Sequence, residues 1–154
     1  MLKKILLVED SREDIELILS ALSDNNLANE VVAVRDGEEA LDYLYRRRLF
    51  MMRFPGDPIV ILLDNKLPKL NGLEVLREIK THAHLKLIPV VMLTSSREEP
   101  DLEHAYRLGA NAYVVKPVDF GEFMQTVKKL GLFWAVVNQP PVWELALRDP
   151  GDHA

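Results

Sequence analysis

Cysteine is absent from the 154-residue chain, which removes disulfide frameworks, thiol nucleophiles and cysteine metal sites together. Long apolar runs are absent too. The opening MLKKILLVED carries only four apolar residues after its charged pair, well short of a secretory leader and far short of a bilayer span. A cytoplasmic protein with no membrane partner is expected. Basic patches are scarce: net charge is −5, and the only dense basic run is Arg46-Arg47-Arg48 with Arg53 nearby, so no nucleic-acid face is expected. No glycine-rich phosphate loop follows the first apolar run and no Gly-x-Ser-x-Gly elbow occurs, which counts against a small doubly wound enzyme or flavin carrier.

What is present is 48% apolar residues, enough for one domain that buries most of its apolar surface. Four short apolar runs, at residues 5–8, 31–34, 59–63 and 88–93, and a fifth at 112–115, are apolar at every position. That pattern suits strands covered on both faces, as in parallel sheets. Helical spacing lies between them. Ile15, Ile18, Leu19 and Leu22 follow Ser11 and Asp14, which resemble a capping box, and Asp36 with Glu39 repeats the signal before Leu41, Leu44 and Tyr45. Gly72, Val75, Leu76 and Ile79 give a third helix. Leu102, Ala105, Tyr106 and Gly109 give a fourth, and Phe120, Phe123, Met124, Val127 and Trp134 a long fifth. Five strands alternating with five helices predict an α/β, doubly wound parallel sheet, in which chemistry gathers beyond the carboxyl ends of the strands.

The residues after each run therefore matter most. They are Glu9-Asp10, Asp64, Thr94-Ser95-Ser96 and Lys116-Pro117. Taken singly, each is an ordinary turn or helix cap. Taken together they put three carboxylates on one edge, which repel strongly in a partly desolvated cleft unless a cation neutralises them. Mg²⁺ suits hard oxygen ligands of this kind. Carboxylates, magnesium, a lysine and a hydroxyl are the parts that handle a transferring phosphoryl group, and Asp64 on the central strand is the candidate nucleophile, forming an aspartyl phosphate.

These residues resemble the receiver domain of two-component response regulators over residues 1 to about 130, including the steps of 30 residues from Asp64 to Thr94 and 22 from Thr94 to Lys116. The resemblance implies a flavodoxin-like strand order 2-1-3-4-5. It implies that Asp10, Asp64 and the backbone carbonyl of Lys66 ligate Mg²⁺, for which Mn²⁺ substitutes, with Glu9 acting through water. Asp64 then accepts phosphate from a phosphohistidine on a sensor histidine kinase. Lys116 pairs with the phosphoryl group across a cis peptide bond to Pro117, Thr94 is drawn in to hydrogen-bond it, and Tyr113 holds the aromatic switch position. For Tyr113 an ordinary half-buried strand aromatic is the alternative. Ser95 is small enough to leave the phosphate room. Lys66 and Ser96 stand where the family tunes attack of water on the aspartyl phosphate, and Lys66 replaces the second aspartate expected of aspartate-based phosphatases. On this reading the chain is a signalling domain whose only catalysis is its own phosphotransfer and slow self-dephosphorylation.

Two stretches depart from the generic pattern. The 54-residue interval from Asp10 to Asp64 is long because of YRRRLFMMRFPGDP, read either as a longer helix 2 with a surface loop or as a partner contact of apolar groups beside arginines. The end, LGLFWAVVNQPPVW, together with DNKLPKLNGLEVLREIK, resembles the small response regulators paired with bacterial and cyanobacterial phytochromes. That resemblance implies a phytochrome-type kinase and a homodimer through helix 4, strand 5, helix 5 and the C-terminal extension, with Phe133, Trp134, Val136 and Val137 on its face. The alternative is a monomer whose Trp143-containing tail folds back over them. Residues 1–137 are taken as the receiver domain and 138–154 as the extension, with no output domain following. An unphosphorylated adaptor remains the competing class, which loss of an acidic or lysine site residue would favour.

Overall fold

Aliphatic side chains at every position commit the central runs to strands covered on both faces. The computed structural model describes residues 4–141, so Trp143 and the rest of the extension from residue 142 lie outside the described residues. Its strands are β1 (Ile5–Val8), β2 (Val31–Val34), β3 (Val60–Leu63), β4 (Val90–Thr94) and β5 (Ala112–Val115), joined by α1 (Arg12–Ser23), α2 (Gly37–Tyr45), α3 (Gly72–Thr81), α4 (Glu99–Leu108) and α5 (Phe120–Gly131). The sheet is wholly parallel in the order β2-β1-β3-β4-β5. The expected architecture and strand order are both present.

Alternate side chains of each central strand enter opposite layers. Leu6, Val8, Ile61 and Leu63 meet Leu41, Leu44, Val75, Leu76 and Ile79 from α2 and α3. On the other face Ile5, Leu7, Val60 and Leu62 meet Ile18 and Leu22 of α1 and Phe123 and Val127 of α5. Each fully buried Leu or Ile contributes about 1.5–3 kcal/mol, whereas an exposed pair such as Arg107–Glu103, at 2.7 Å, is worth about 0.2–1 kcal/mol. The two apolar layers therefore decide the fold. The edge strand β5 is only half-buried along its length.

Helix starts follow short polar caps. Ser11, Asp36, Asn71 and Asp119 accept from the backbone N–H three residues on, at 3.2, 2.8, 3.0 and 2.9 Å. Neither expected capping box closes reciprocally: Glu39 takes the N–H of Arg35 instead, and Asp14 reaches into the site described below. In α4 only Ala105 of the expected face is buried, while Leu102 and Tyr106 are exposed. Gly109 ends that helix in the left-handed region at φ 109°, a conformation that a Cβ disfavours.

The fifth helix does not run straight through Trp134. It passes at Gly131 into a π-helical segment, Leu132–Val137, with the Asn138 N–H donating to the Phe133 carbonyl at 2.6 Å. Trp134 and Ala135 pack on the core, whereas Leu132, Phe133, Val136 and Val137 are exposed.

Between α2 and β3 the chain does not lengthen the helix, because Arg46 turns into the left-handed region at φ 53°. Buried Asp42 accepts from Arg47 at 2.6 Å and Arg48 at 2.8 Å. Its carboxyl is opposed by burial but held below the usual range by the hydrogen bonds and charges of those two guanidiniums. Arg53 lies over the Tyr43 ring at 4.1 Å, and Phe50 meets the same ring edge-on. These contacts fix the loop while Leu49, Met52 and Phe54 remain 87–89% exposed.

Candidate functional site

Parallel pairing in register brings the ends of β1 and β3 side by side, because Val8 is opposite Leu63. Glu9 and Asp10 therefore emerge next to Asp64. The Asp64 N–H donates to the Val8 carbonyl at 3.0 Å and the Glu9 N–H to the Val34 carbonyl at 3.0 Å, so the acids are held by the sheet ladder itself. One carboxylate oxygen from each of Glu9, Asp10 and Asp64 lies within 4.8 Å of the others. Glu9 and Asp64 are buried and Asp10 is half-buried. An all-oxygen donor set of three carboxyl groups fits a hard divalent cation.

Lys116 follows β5 and crosses two strands to reach the acids. Its Nζ hydrogen-bonds Glu9, lies 2.7 Å from Asp14 Oδ2 and 3.3 Å from Asp64 Oδ2. Burial opposes the charge on this ammonium, but the hydrogen bonds to Asp14 and Glu9 and the negative charges of Glu9 and Asp64 outweigh it and raise its pKa. Burial pushes the Glu9 carboxyl up to about 7, with the Lys116 hydrogen bond lowering it and the Asp64 charge adding to the rise. Folding thus favours protonated Glu9. The stability this represents is present below the ordinary 4.5 and is lost as pH rises through about 7. Urea titrations of the metal-free protein are expected to show stability falling across that interval. Glu9→Gln should flatten the fall, and added Mg²⁺ should offset it above neutrality; a stability that instead rises through the window with Glu9 intact would refute the assignment.

Around this centre the remaining expected residues take defined places. Asp64 Oδ1 accepts from the Asn65 N–H at 2.7 Å, which leaves Oδ2 for the lysine side of the cleft. Thr94 is fully buried, and its Oγ1 accepts from the Ser96 N–H at 3.3 Å. Ser96 Oγ donates to Asp101 at 2.5 Å, so this hydroxyl is oriented by α4. Half-buried Tyr113 donates its hydroxyl to the Ser96 carbonyl at 3.0 Å, tying β5 to the loop after β4. Lys66 is exposed on the loop after Asp64, and so is Ser95 beside Thr94. An open depression of about 770 Å³ flanks the lysine, lined by Arg97, Val115, Pro117, Val118, Asp119 and Glu122. None of these lining residues belongs to the acidic cluster.

Two points differ from the sequence expectations. No cis peptide bond occurs among the described residues, so the Lys116–Pro117 bond expected to be cis is trans. Trans is favoured before proline by about 0.5–1 kcal/mol, and with that bond trans the lysine already meets three carboxylates. The second is Asp14, which sequence reasoning placed only in a helix cap. Its one legible signal was its position in the first turn of α1, which starts beside Glu9-Asp10.

Residues 5–128 match the response regulator receiver domain family. The response regulator Rcp1 of Synechocystis is 39% identical over 132 residues, covering 86% of this chain and 88% of that protein; a crystal structure of an Mn(2+)-bound form of Rcp1 superposes with a TM-score of 0.84 at 37% identity, over 91% of this chain and 99% of that one. The phosphorylated cyanobacterial phytochrome response regulator RcpA superposes with a TM-score of 0.86 at 43% identity, over 92% of this chain and all of that one. The bacteriophytochrome response regulator RtBRR is 59% identical with a TM-score of 0.73, over 92% of this chain and 85% of that one. With its acids, lysine and buried threonine arrayed at the strand ends, the chain belongs to the response regulator receiver family of two-component systems, and its relatives include phytochrome response regulators.

Proposed function

We propose that the protein is a phosphoacceptor switch that takes a phosphoryl group on Asp64 from a phosphohistidine of a sensor histidine kinase of the phytochrome type. The observation that carries this reading is the meeting of Glu9, Asp10 and Asp64 with the Lys116 ammonium at one strand edge. An Asp64 carboxylate oxygen attacks phosphorus, the P–O bond forms as the P–N bond breaks, and the departing imidazole keeps the electron pair and takes up a proton. A divalent cation, Mg²⁺ with Mn²⁺ as substitute, supplies charge neutralisation for the equatorial phosphoryl oxygens. Asp10, Asp64 and the Lys66 carbonyl are its proposed ligands, with Glu9 linked through water; the manganese-bound form of Rcp1 supports a divalent ion in this family.

The chain's own residues do the remaining work. Lys116 neutralises the new phosphate, Thr94 turns its hydroxyl toward it, and Tyr113 responds because it is tied to the Ser96 carbonyl on the same loop. Lys66 and Ser96 flank the approach of water and set the lifetime of the phosphate. Residues 1–137 form the receiver unit, acting in the cytoplasm through protein contacts and not on DNA. Incubation with Mg²⁺ and acetyl phosphate should add one phosphate to the intact mass, and transfer from an autophosphorylated phytochrome-type kinase should outpace transfer from unrelated kinases. A chain that stays unmodified in both assays refutes the phosphoacceptor reading and leaves an adaptor.

The second element of the proposal is a homodimer through α4, β5, α5 and the residues beyond. Exposed Leu132, Phe133, Val136 and Val137 fall together within the six residues of the π-helical segment, a concentration of exposed apolar side chains that suits an interface. Trp134 supports the segment from beneath, with its ring edge-on to Phe133 at 5.0 Å. Sedimentation is expected to report a dimer at tens of micromolar and a shift to monomer in Phe133→Asp. A wild-type monomer with and without phosphate would rule this element out.

A further inference from the structure

Lys116 carries three donors on its ammonium, and all three are matched by carboxylates, from Glu9, Asp14 and Asp64. A phosphoryl oxygen arriving on Asp64 competes with these carboxylates for the ammonium, and the closer it draws Lys116 the more one of the other two has to give up. Glu9 is 2% exposed and also fixed by the Ser11 N–H at 3.0 Å, which makes it costly to strand. Asp64 is itself the atom carrier. Asp14 differs from both: its side chain is 29% exposed, so water can replace the ammonium it gives up.

We infer that Asp14 is a positioning residue that draws the Lys116 ammonium toward itself, leaving it only a longer contact to Asp64 in the unphosphorylated protein, and releases it when Asp64 is modified. The distances fit this role, since Nζ lies nearer Asp14, at 2.7 Å, than Asp64, at 3.3 Å. Parking weakens the hold of the ammonium on Asp64, where the cation and the phosphoryl donor have to arrive, while Glu9 keeps the ammonium within reach of the place it moves to. Its cost is a resistance to switching, because the parked ion pair stabilises only the unmodified state. The consequence for switching rests on the phosphoacceptor reading of Asp64; the parked geometry does not.

Two measurements separate these. In the unphosphorylated, metal-free protein, the ¹⁵N and proton resonances of the Lys116 ammonium are expected to shift in Asp14→Asn and to return toward wild type in Asp14→Glu. With saturating Mg²⁺, Asp14→Asn is expected to bind beryllium trifluoride about three- to tenfold more tightly than wild type, as loss of a charge-assisted, partly solvated pair implies. In a Lys116→Met background the same substitution should gain much less, because only the general loss of a negative charge remains. An unmoved ammonium resonance overturns the inference, as does tighter binding that is equal in the Lys116→Met background, or unchanged or weaker binding in Asp14→Asn. If wild type binds no beryllium trifluoride, the phosphoacceptor reading fails and the resonance alone decides the parking.

Discussion

Asp64→Asn is expected to abolish the gain of phosphate from acetyl phosphate while leaving the fold intact. The amide keeps an oxygen in the place of Oδ1, so the 2.7 Å hydrogen bond from the Asn65 N–H survives, and the strand below is unchanged. What disappears is the anionic oxygen that attacks phosphorus, and buried Glu9 does not take its place, being hydrogen-bonded to Lys116 and Ser11. Removing one of three clustered charges also relieves repulsion within the cleft. The metal-free variant should therefore be at least as stable as wild type in urea, although its affinity for Mg²⁺ drops. Intact-mass spectrometry and a denaturation curve test both halves, and a phosphorylated Asp64→Asn protein would move the acceptor elsewhere.

Gly72→Ala should be severely damaging for a change of a single methyl group. A Cβ there would lie 2.1 Å from the Asp64 carbonyl oxygen, 2.7 Å from the Asn65 Cα and 2.9 Å from the Asp64 carbonyl carbon. All three are backbone atoms, which cannot swing aside as a side chain can. The Gly72 N–H is meanwhile bound to the Asn65 carbonyl at 2.7 Å, so α3 begins hard against the residue that does the chemistry. A loss of about 3 kcal/mol or more is expected, at the upper end for overpacking, and phosphorylation should slow even in the folded fraction because the Asp64 backbone is what must shift. Gly121→Ala is the control. Its Cβ meets only the Asp119 carboxylate oxygen, at 3.1 Å, on an exposed helix start, so its urea midpoint should stay close to wild type. Equal midpoints for the two variants would refute the close-approach account.

Much of this was legible from residue order. Runs such as ILLV and VVAV marked β1 and β2 to the residue, because polar residues bound both runs, although only β1 is buried along its length and the edge strand β2 is buried at Val34 alone. β4 began later than its apolar run because Ile88 closes a 3₁₀ turn and Pro89 has no N–H for the ladder. The acids, threonine and lysine were found because each ends a strand, and strand ends in this topology share an edge. Asp14 could not be found that way: it belongs to a helix, its partner lies 102 residues away, and only the direction of one side chain connects them. The exposure of Leu102 and Tyr106 was hidden for a related reason. Helical spacing shows that two residues share a face but not which face the sheet covers.

The π-helical segment at the end of α5 has a consequence for phase. Closing hydrogen bonds from residue i+5 accommodate one residue more than an α-helical turn holds, and each residue turns the helix by about 100°. Leu132–Val137 therefore works as a register offset, which lets Phe123 and Val127 face the core upstream while Phe133, Val136 and Val137 face outward downstream. Deleting one residue within it, before Trp134, would turn Trp134 and the residues up to Val137 by about 100°, exchanging Trp134 for a neighbour on the inside. A single codon in this stretch thus governs which side of this helix is offered to other molecules.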